Sequence, residues 1–273
     1  VKREAAHLTP LSEAAILGLL IFCASFCITR PGISDWELYW RPAALAMLTG
    51  HNPHDVAGHY APAWSLLPLL PLALLPTRVG LAAMSGLAVG VYYFSARKLG
   101  ASIIVAGMMV GNPAWLIFNL MNPNIDWMVA LGYALPASLP AALLLVTKPQ
   151  LGMGVFLVDA LGNKRRALAV CGAFALTVLL YGPYFLAWGN PMGSDLNASL
   201  FPYSLPFGAI LMVVSLWRKS RALALFAVPL MSPYISYSAL PVVLLGLLPK
   251  HGRIAAAASV AVTVAVVVWG VLA

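Results

Sequence analysis

Charge is scarce in this chain. Charged residues make up 9% of its 273 positions, and eight of them are acidic. Ordinary globular domains carry about 25% charged residues, so a soluble fold of this length could not cover its own surface. Strand-like alternation over roughly ten-residue units is missing, which excludes an outer-membrane barrel. No P-loop and no dinucleotide fingerprint occurs, so no nucleotide site is expected. An aromatic-rich basic groove for nucleic acid is missing too, as are internal repeats and low-complexity linkers. Cysteine is limited to Cys23, Cys27 and Cys171. All three fall in apolar runs without other metal ligands nearby, and read as packing residues.

What the chain does have is hydrophobic length. Apolar residues form 62% of it, with a mean hydropathy of +0.89. Repeated apolar runs satisfy their backbone groups internally, so the expected fold is an all-α polytopic membrane protein with one domain over 1–273. The first run, 11–29, follows Lys2 and Arg3. It is long for a signal-peptide core and lacks a clear cleavage site, and reads as a retained signal-anchor.

The net charge of +8 is gathered in short basic clusters between apolar runs. These are Lys2-Arg3, Arg97-Lys98, Lys164-Arg165-Arg166, Arg218-Lys219-Arg221 and Lys250-Arg253. The positive-inside rule puts all five, and the N-terminus, in the cytoplasm of a multi-pass cell-membrane protein, beside anionic lipid. Each interval between clusters must then hold an even number of crossings. The first interval has three apolar runs. The run 63–76, short and broken by Pro68, Pro71 and Pro76, is read as a re-entrant or interfacial hairpin. Counting onward, with three short pieces in 127–160, predicts about 9–11 transmembrane helices.

This topology makes about 30–79 one large external loop, containing an amphipathic helix over 35–48 and the apolar hairpin. It gathers Asp35, Glu37, Arg41, His51, His54, Asp55, His59, Asn122, Asn124, Asp126 and Asp195 at the external face. Ionisable groups in membrane proteins mark functional cavities, and loops this long are functional or disordered. This one is rich in Trp, Tyr, Leu and Pro, which argues against disorder. Asp35 has two readings, a helix N-cap shared with Ser34 or a catalytic base. Asp126 either caps the next helix or contacts substrate. Lys148, at a proline break, either reaches a phosphate or snorkels to the interface. Glu37 is read as an i+4 partner of Arg41, and Asp159 as a partner of Lys164 and Arg165. The loop histidines and Asp55 do not form a metal-ligand spacing.

Ser34-Asp35-x-x-x-Tyr39-Trp40 is followed by Leu48-Thr49-Gly50-His51-Asn52-Pro53-His54-Asp55. Then come Tyr60-Ala61-Pro62, Leu70-Pro71-Leu72-Ala73-Leu74-Leu75-Pro76, Lys148-Pro149-Gln150 and Ser232-Pro233-Tyr234-Ile235-Ser236-Tyr237. This ordered set resembles the GT-C membrane glycosyltransferases, closest to glycosyltransferase family 87. The chain departs from the family pattern at His54 and Ala61, and at Asn122-Pro123-Asn124-Ile125-Asp126, where members often carry Gly-Gln.

The resemblance implies a GT-C-like fold and transfer of a sugar, mannose or a related one, from a polyprenyl-phosphate donor to a hydroxyl acceptor, with inversion, at the outer face. Asp35 would be the catalytic base. Arg41, His51, His59, Tyr60, Asp126, Lys148 and Gln150 would bind the donor's phosphate or sugar, with Arg30 also on that side. The partners implied are the lipid-linked sugar as co-substrate, a lipid or glycan acceptor and membrane lipids; no metal, cofactor or nucleic acid is called for. Two other readings stand beside it: a transporter or lipid flippase, and an inactive relative serving as an assembly partner.

Overall fold

The computed structural model describes residues 8–29, 32, 34–187 and 197–272. Arg30, Asp195 and the Lys2-Arg3 cluster lie outside the described residues. The architecture is all-helical. α1 (Pro10–Ile28) leads into a π-helical turn (Trp36–Trp40) continuous with α2 (Arg41–Leu48). A 3-10 segment (Ala63–Leu69) runs into the single turn α3 (Leu70–Ala73), and α4 (Thr77–Lys98) follows. Next come α5 (Ile103–Val110), α6 (Pro113–Met121), α7 (Asp126–Ala134), α8 (Leu139–Leu145) and α9 (Pro149–Gly162). The rest is α10 (Lys164–Tyr181), α11 (Leu205–Trp217), α12 (Arg221–Met231), α13 (Leu240–Leu244) and α14 (Leu248–Leu272).

Among the described residues, three helices are long and apolar enough to cross a membrane: Pro10–Ile28, Thr77–Lys98 and Leu240–Ala261. The pair Ile103–Val110 and Trp115–Met121, bent by 60°, makes a fourth if it is one broken span. This is fewer than the 9–11 expected. The difference comes from proline. In 127–160 the apolar sequence is cut into helices of 9, 7 and 14 residues, each short of the roughly 20 residues a crossing needs. Pro140 and Pro149 each sit in the first turn of a new helix, where the missing N–H costs nothing. The segment 63–76 also differs from a two-armed hairpin. It is one short rod, 3-10 and then α, that turns back into α4.

α1 and α4 form an antiparallel pair held by small residues. A Cβ at Gly86 would lie 2.5 Å from the Gly18 carbonyl oxygen, and one at Gly90 would lie 3.0 Å from that of Ala14. Ala14-x-x-x-Gly18 and Gly86-x-x-x-Gly90 thus let two backbones touch, the contact that drives helix association in lipid. The α1 start and the α4 end are joined by Glu13, which accepts from Arg97 (2.7 Å) and from the Tyr93 hydroxyl (2.9 Å). Gly86→Leu is expected to force the pair apart and cost about 1–3 kcal/mol through overpacking. Thermal unfolding of the detergent-solubilised variant against wild type measures it.

Leu19, Leu20, Leu168, Leu179, Phe207 and Val213 all face outward, an apolar exterior suited to lipid rather than water. Cys23, Cys27 and Cys171 are exposed on it rather than packed inside, because α1 and α10 lie at the periphery. Asp159 pairs with Arg221 (3.2 Å), not with Lys164 or Arg165. The same guanidinium donates to the Gly132 and Leu135 carbonyls (3.1 and 3.2 Å), pinning α12 to the end of α7.

Candidate functional site

The helix carrying Asp35 is capped by its neighbours. The Ser34 hydroxyl accepts from the Glu37 N–H (3.4 Å) and donates to the Glu37 carboxylate (2.9 Å), which also accepts from the Gly32 N–H (2.9 Å). This is a variant of the Ser-x-x-Glu capping box. It absorbs Glu37, so the ion pair expected with Arg41 is not formed. The π-helical turn adds a reason: its i→i+5 bonding moves residues four apart off a common face.

Asp35 is thereby released from capping and makes no cap hydrogen bond. Its carboxylate accepts from the Asn122 amide (3.3 Å) and the Asn124 amide (2.5 Å), and its own N–H donates to the Asn122 side-chain oxygen. Asn122 ends α6, and Asn124 turns the chain into α7. The carboxyl is half-buried, and burial raises its pKa above the ordinary value. Lys148 and the two amides pull it down, while the charge of Asp126 pushes it up. Asp35, Asp126 and Lys148 therefore share one electrostatic field.

Asp126 opens α7 and is almost wholly enclosed, at 2% exposure. It pairs with the Lys148 ammonium and accepts from the Ser238 hydroxyl (2.6 Å). Lys148 lies just ahead of α9. The α7–α8–α9 zigzag brings it back to Asp126, and glycine makes that possible. A Cβ at Gly132 would lie 2.8 Å from the Ala141 carbonyl oxygen, and one at Gly152 would collide with the Leu145 backbone. A buried charge held this way depends on its partner, because either ion alone would be left without solvation.

The other expected site residues are placed as follows. Arg41 opens α2 half-buried, with its Nε enclosed and making no hydrogen bond. Gln150 sits in the first turn of α9 beside Lys148, its side-chain oxygen also without a partner. Tyr60 is exposed. His51 is exposed after a turn through Gly50 (φ +76°), its Nδ1 2.9 Å from the Thr49 hydroxyl.

His59 is buried between the Trp40 edge (5.4 Å between centroids) and the stacked His54 ring (5.2 Å). Burial and the neighbouring His54 push its pKa down to about 3, and both of its enclosed ring nitrogens are without a hydrogen-bond partner. His54 in turn stacks on Tyr184 at 4.1 Å, and the Asn52 amide donates to the Tyr181 carbonyl (3.1 Å). The histidine segment is therefore a packing device that fastens the first loop to the end of α10.

Three residues enter the site beyond those expected to act in it: Asn122 and Asn124, which the sequence placed at the external face and which hold Asp35, and Ser238, which holds Asp126. The run Asn122-Pro123-Asn124-Ile125-Asp126 was a usable signal, since three polar groups within five positions are unusual in so apolar a chain. Ser238 lies just past the Ser-Pro segment, with its hydroxyl 2.8 Å from that of Ser236. Among the described residues, no group of three or more His, Cys, Asp or Glu is placed to hold a metal ion. Compared with models of known protein families, with curated proteins and with solved structures, the chain has no match.

Proposed function

We propose that the chain is a membrane glycosyltransferase, related to the GT-C enzymes, that moves a sugar from a polyprenyl-phosphate donor to a hydroxyl acceptor at the outer face of the membrane. The observation that carries this reading is the state of Asp35, a half-buried carboxylate freed from capping and aimed by two asparagine amides. A carboxylate whose pKa is raised by burial is a better base than one in water, and a positioned general base contributes about 10²–10⁴-fold.

In the proposed step, Asp35 takes the proton of the acceptor hydroxyl as that oxygen attacks the anomeric carbon. The new carbon–oxygen bond forms as the bond to the phosphate oxygen breaks. The electron pair leaves with the polyprenyl phosphate, and the configuration inverts. Departing phosphate needs cationic donors. An ammonium has three N–H donors, so Lys148 keeps some in reserve while Asp126 holds it in place. Arg41 and Gln150 have enclosed polar atoms without partners and are the next candidates for phosphate and sugar. Leu67 and Leu74, exposed on the proline-rich segment, offer an apolar wall for the prenyl tail. The donor carries its own activation, so the reaction calls for no nucleotide or metal.

The test is transfer of labelled sugar from a polyprenyl-phosphate donor in membranes containing the full chain, followed against pH. Asp35 works ionised, so activity should fall on the acid side, along a limb above the ordinary aspartate pKa of about 3.9. Asn124→Ala removes a hydrogen bond that favours the ionised form, and the limb should move to higher pH. An acid limb that stays in place in the variant rules against Asp35 as the base. Gradient-driven uptake by proteoliposomes without any transfer would put a transporter in the enzyme's place.

A further inference from the structure

The far end of α9 carries a second feature, unconnected with Asp35. Leu157, Ala160 and Leu161 of α9, Leu216 of α11 and Lys164 at the start of α10 line an open apolar groove of about 340 Å³. That volume falls within the roughly 300–1,000 Å³ of small-ligand pockets. Leu157 to Leu161 lie along α9, which at 1.5 Å per residue puts the groove roughly 14–20 Å from Lys148. Donor chemistry at Asp35 and occupancy of this groove are therefore separate events.

The rim is basic. Lys164 and Arg165 are exposed at the start of α10, and Arg218 and Lys219 are exposed just past Leu216. Among the described residues none of these four makes an ion pair. The nearest acid in the sequence, Asp159, is already held by Arg221 (3.2 Å). Trp217, exposed at 79% with the Arg218 guanidinium 6.0 Å from its ring, is the amphipathic aromatic expected where hydrocarbon meets headgroups. An open apolar groove lined by Lys164, with exposed cations and an exposed tryptophan next to its lining residues in sequence, complements a molecule with a hydrocarbon tail and an anionic head.

We propose that this groove is a binding site for an anionic phospholipid, with an acyl chain between α9 and α11 and the phosphate on the basic rim. Basic pockets between membrane helices hold anionic headgroups, and each cation close to the headgroup is worth about a fivefold gain in affinity.

The test uses the full chain in detergent micelles, titrated separately with spin-labelled phosphatidylglycerol and phosphatidylcholine, with the motionally restricted fraction read by electron paramagnetic resonance. Phosphatidylglycerol should be retained in preference to phosphatidylcholine. Lys164→Gln should weaken it about fivefold, and Lys164→Gln with Arg218→Gln about 25-fold. Ala160→Trp, which fills the groove, should remove the restricted fraction with every cation still present. Leu161→Gln, at an exposed position, repeats that arm should the tryptophan variant not fold. Three results would overturn the proposal: equal retention of the two lipids; unchanged phosphatidylglycerol binding in both groove variants, which marks diffuse surface attraction; or no lipid binding by a chain that runs as a dimer, which marks a second copy as the occupant.

Discussion

Asp35→Asn is expected to lower the proposed sugar transfer by about 10²–10⁴-fold in kcat, with little change in folding. The asparagine keeps the shape of the side chain and removes its basicity. Stability follows from the sign of the pKa shift. Burial raises the folded-state pKa of Asp35, so the fold favours the neutral carboxyl. That preference contributes stability below the unfolded pKa and is lost as pH rises through the folded one. At neutral pH the ionised group therefore costs stability, and an uncharged asparagine should leave the melting temperature equal or higher. The pairing of lost activity with retained stability is the diagnostic. A parallel loss of both would make Asp35 a structural residue, and undiminished transfer would remove it as the base.

Lys148→Met destabilises the protein by about 3–5 kcal/mol. It leaves Asp126 enclosed with the Ser238 hydroxyl as its remaining partner, and a buried carboxylate without a counterion has lost most of its solvation. Pairing that change with Asp126→Leu should recover most of the loss, since apolar packing often replaces a buried ion pair at little cost. Thermal unfolding of the two variants and wild type in one detergent measures both effects. Transfer separates structure from chemistry. The double variant should fold and yet fail in the proposed transfer, because the cation proposed to receive the phosphate is gone. A double variant with wild-type transfer would confine Lys148 to a packing role.

The sequence made some of this legible. Helical, membrane-suited character follows from composition, because a bilayer leaves backbone groups no partner but their own segment. Asp35, Asp126 and Lys148 stood out as charges in a chain with few, and the fold brings them into one field. Which partners each would meet was not legible. Asn122 and Asn124 reach Asp35 across separations of 87 and 89 residues, and Ser238 reaches Asp126 across 112. No local pattern encodes such meetings.

Fewer helices are long and apolar enough to cross a membrane than the apolar runs suggested, because an apolar run reports the need to leave water and does not say whether lipid or protein receives it. α7, α8 and α9 bury much of their apolar surface in the protein interior. The Glu37–Arg41 pair failed because an α-helical spacing was applied to a π-helical turn. The enclosure of His59 by Trp40 and His54, which pushes its pKa down to about 3, was equally out of reach of residue type alone.

Residue chemistry along the chain thus determined the class of fold, the scarcity of charge and the identity of the few groups able to do acid–base work. Tertiary structure alone decided which of them meet, which are ionised and which are merely packed. Ionisation and pairing depend on solvent exclusion and on distances between segments far apart in sequence, and those quantities exist only once the helices have docked.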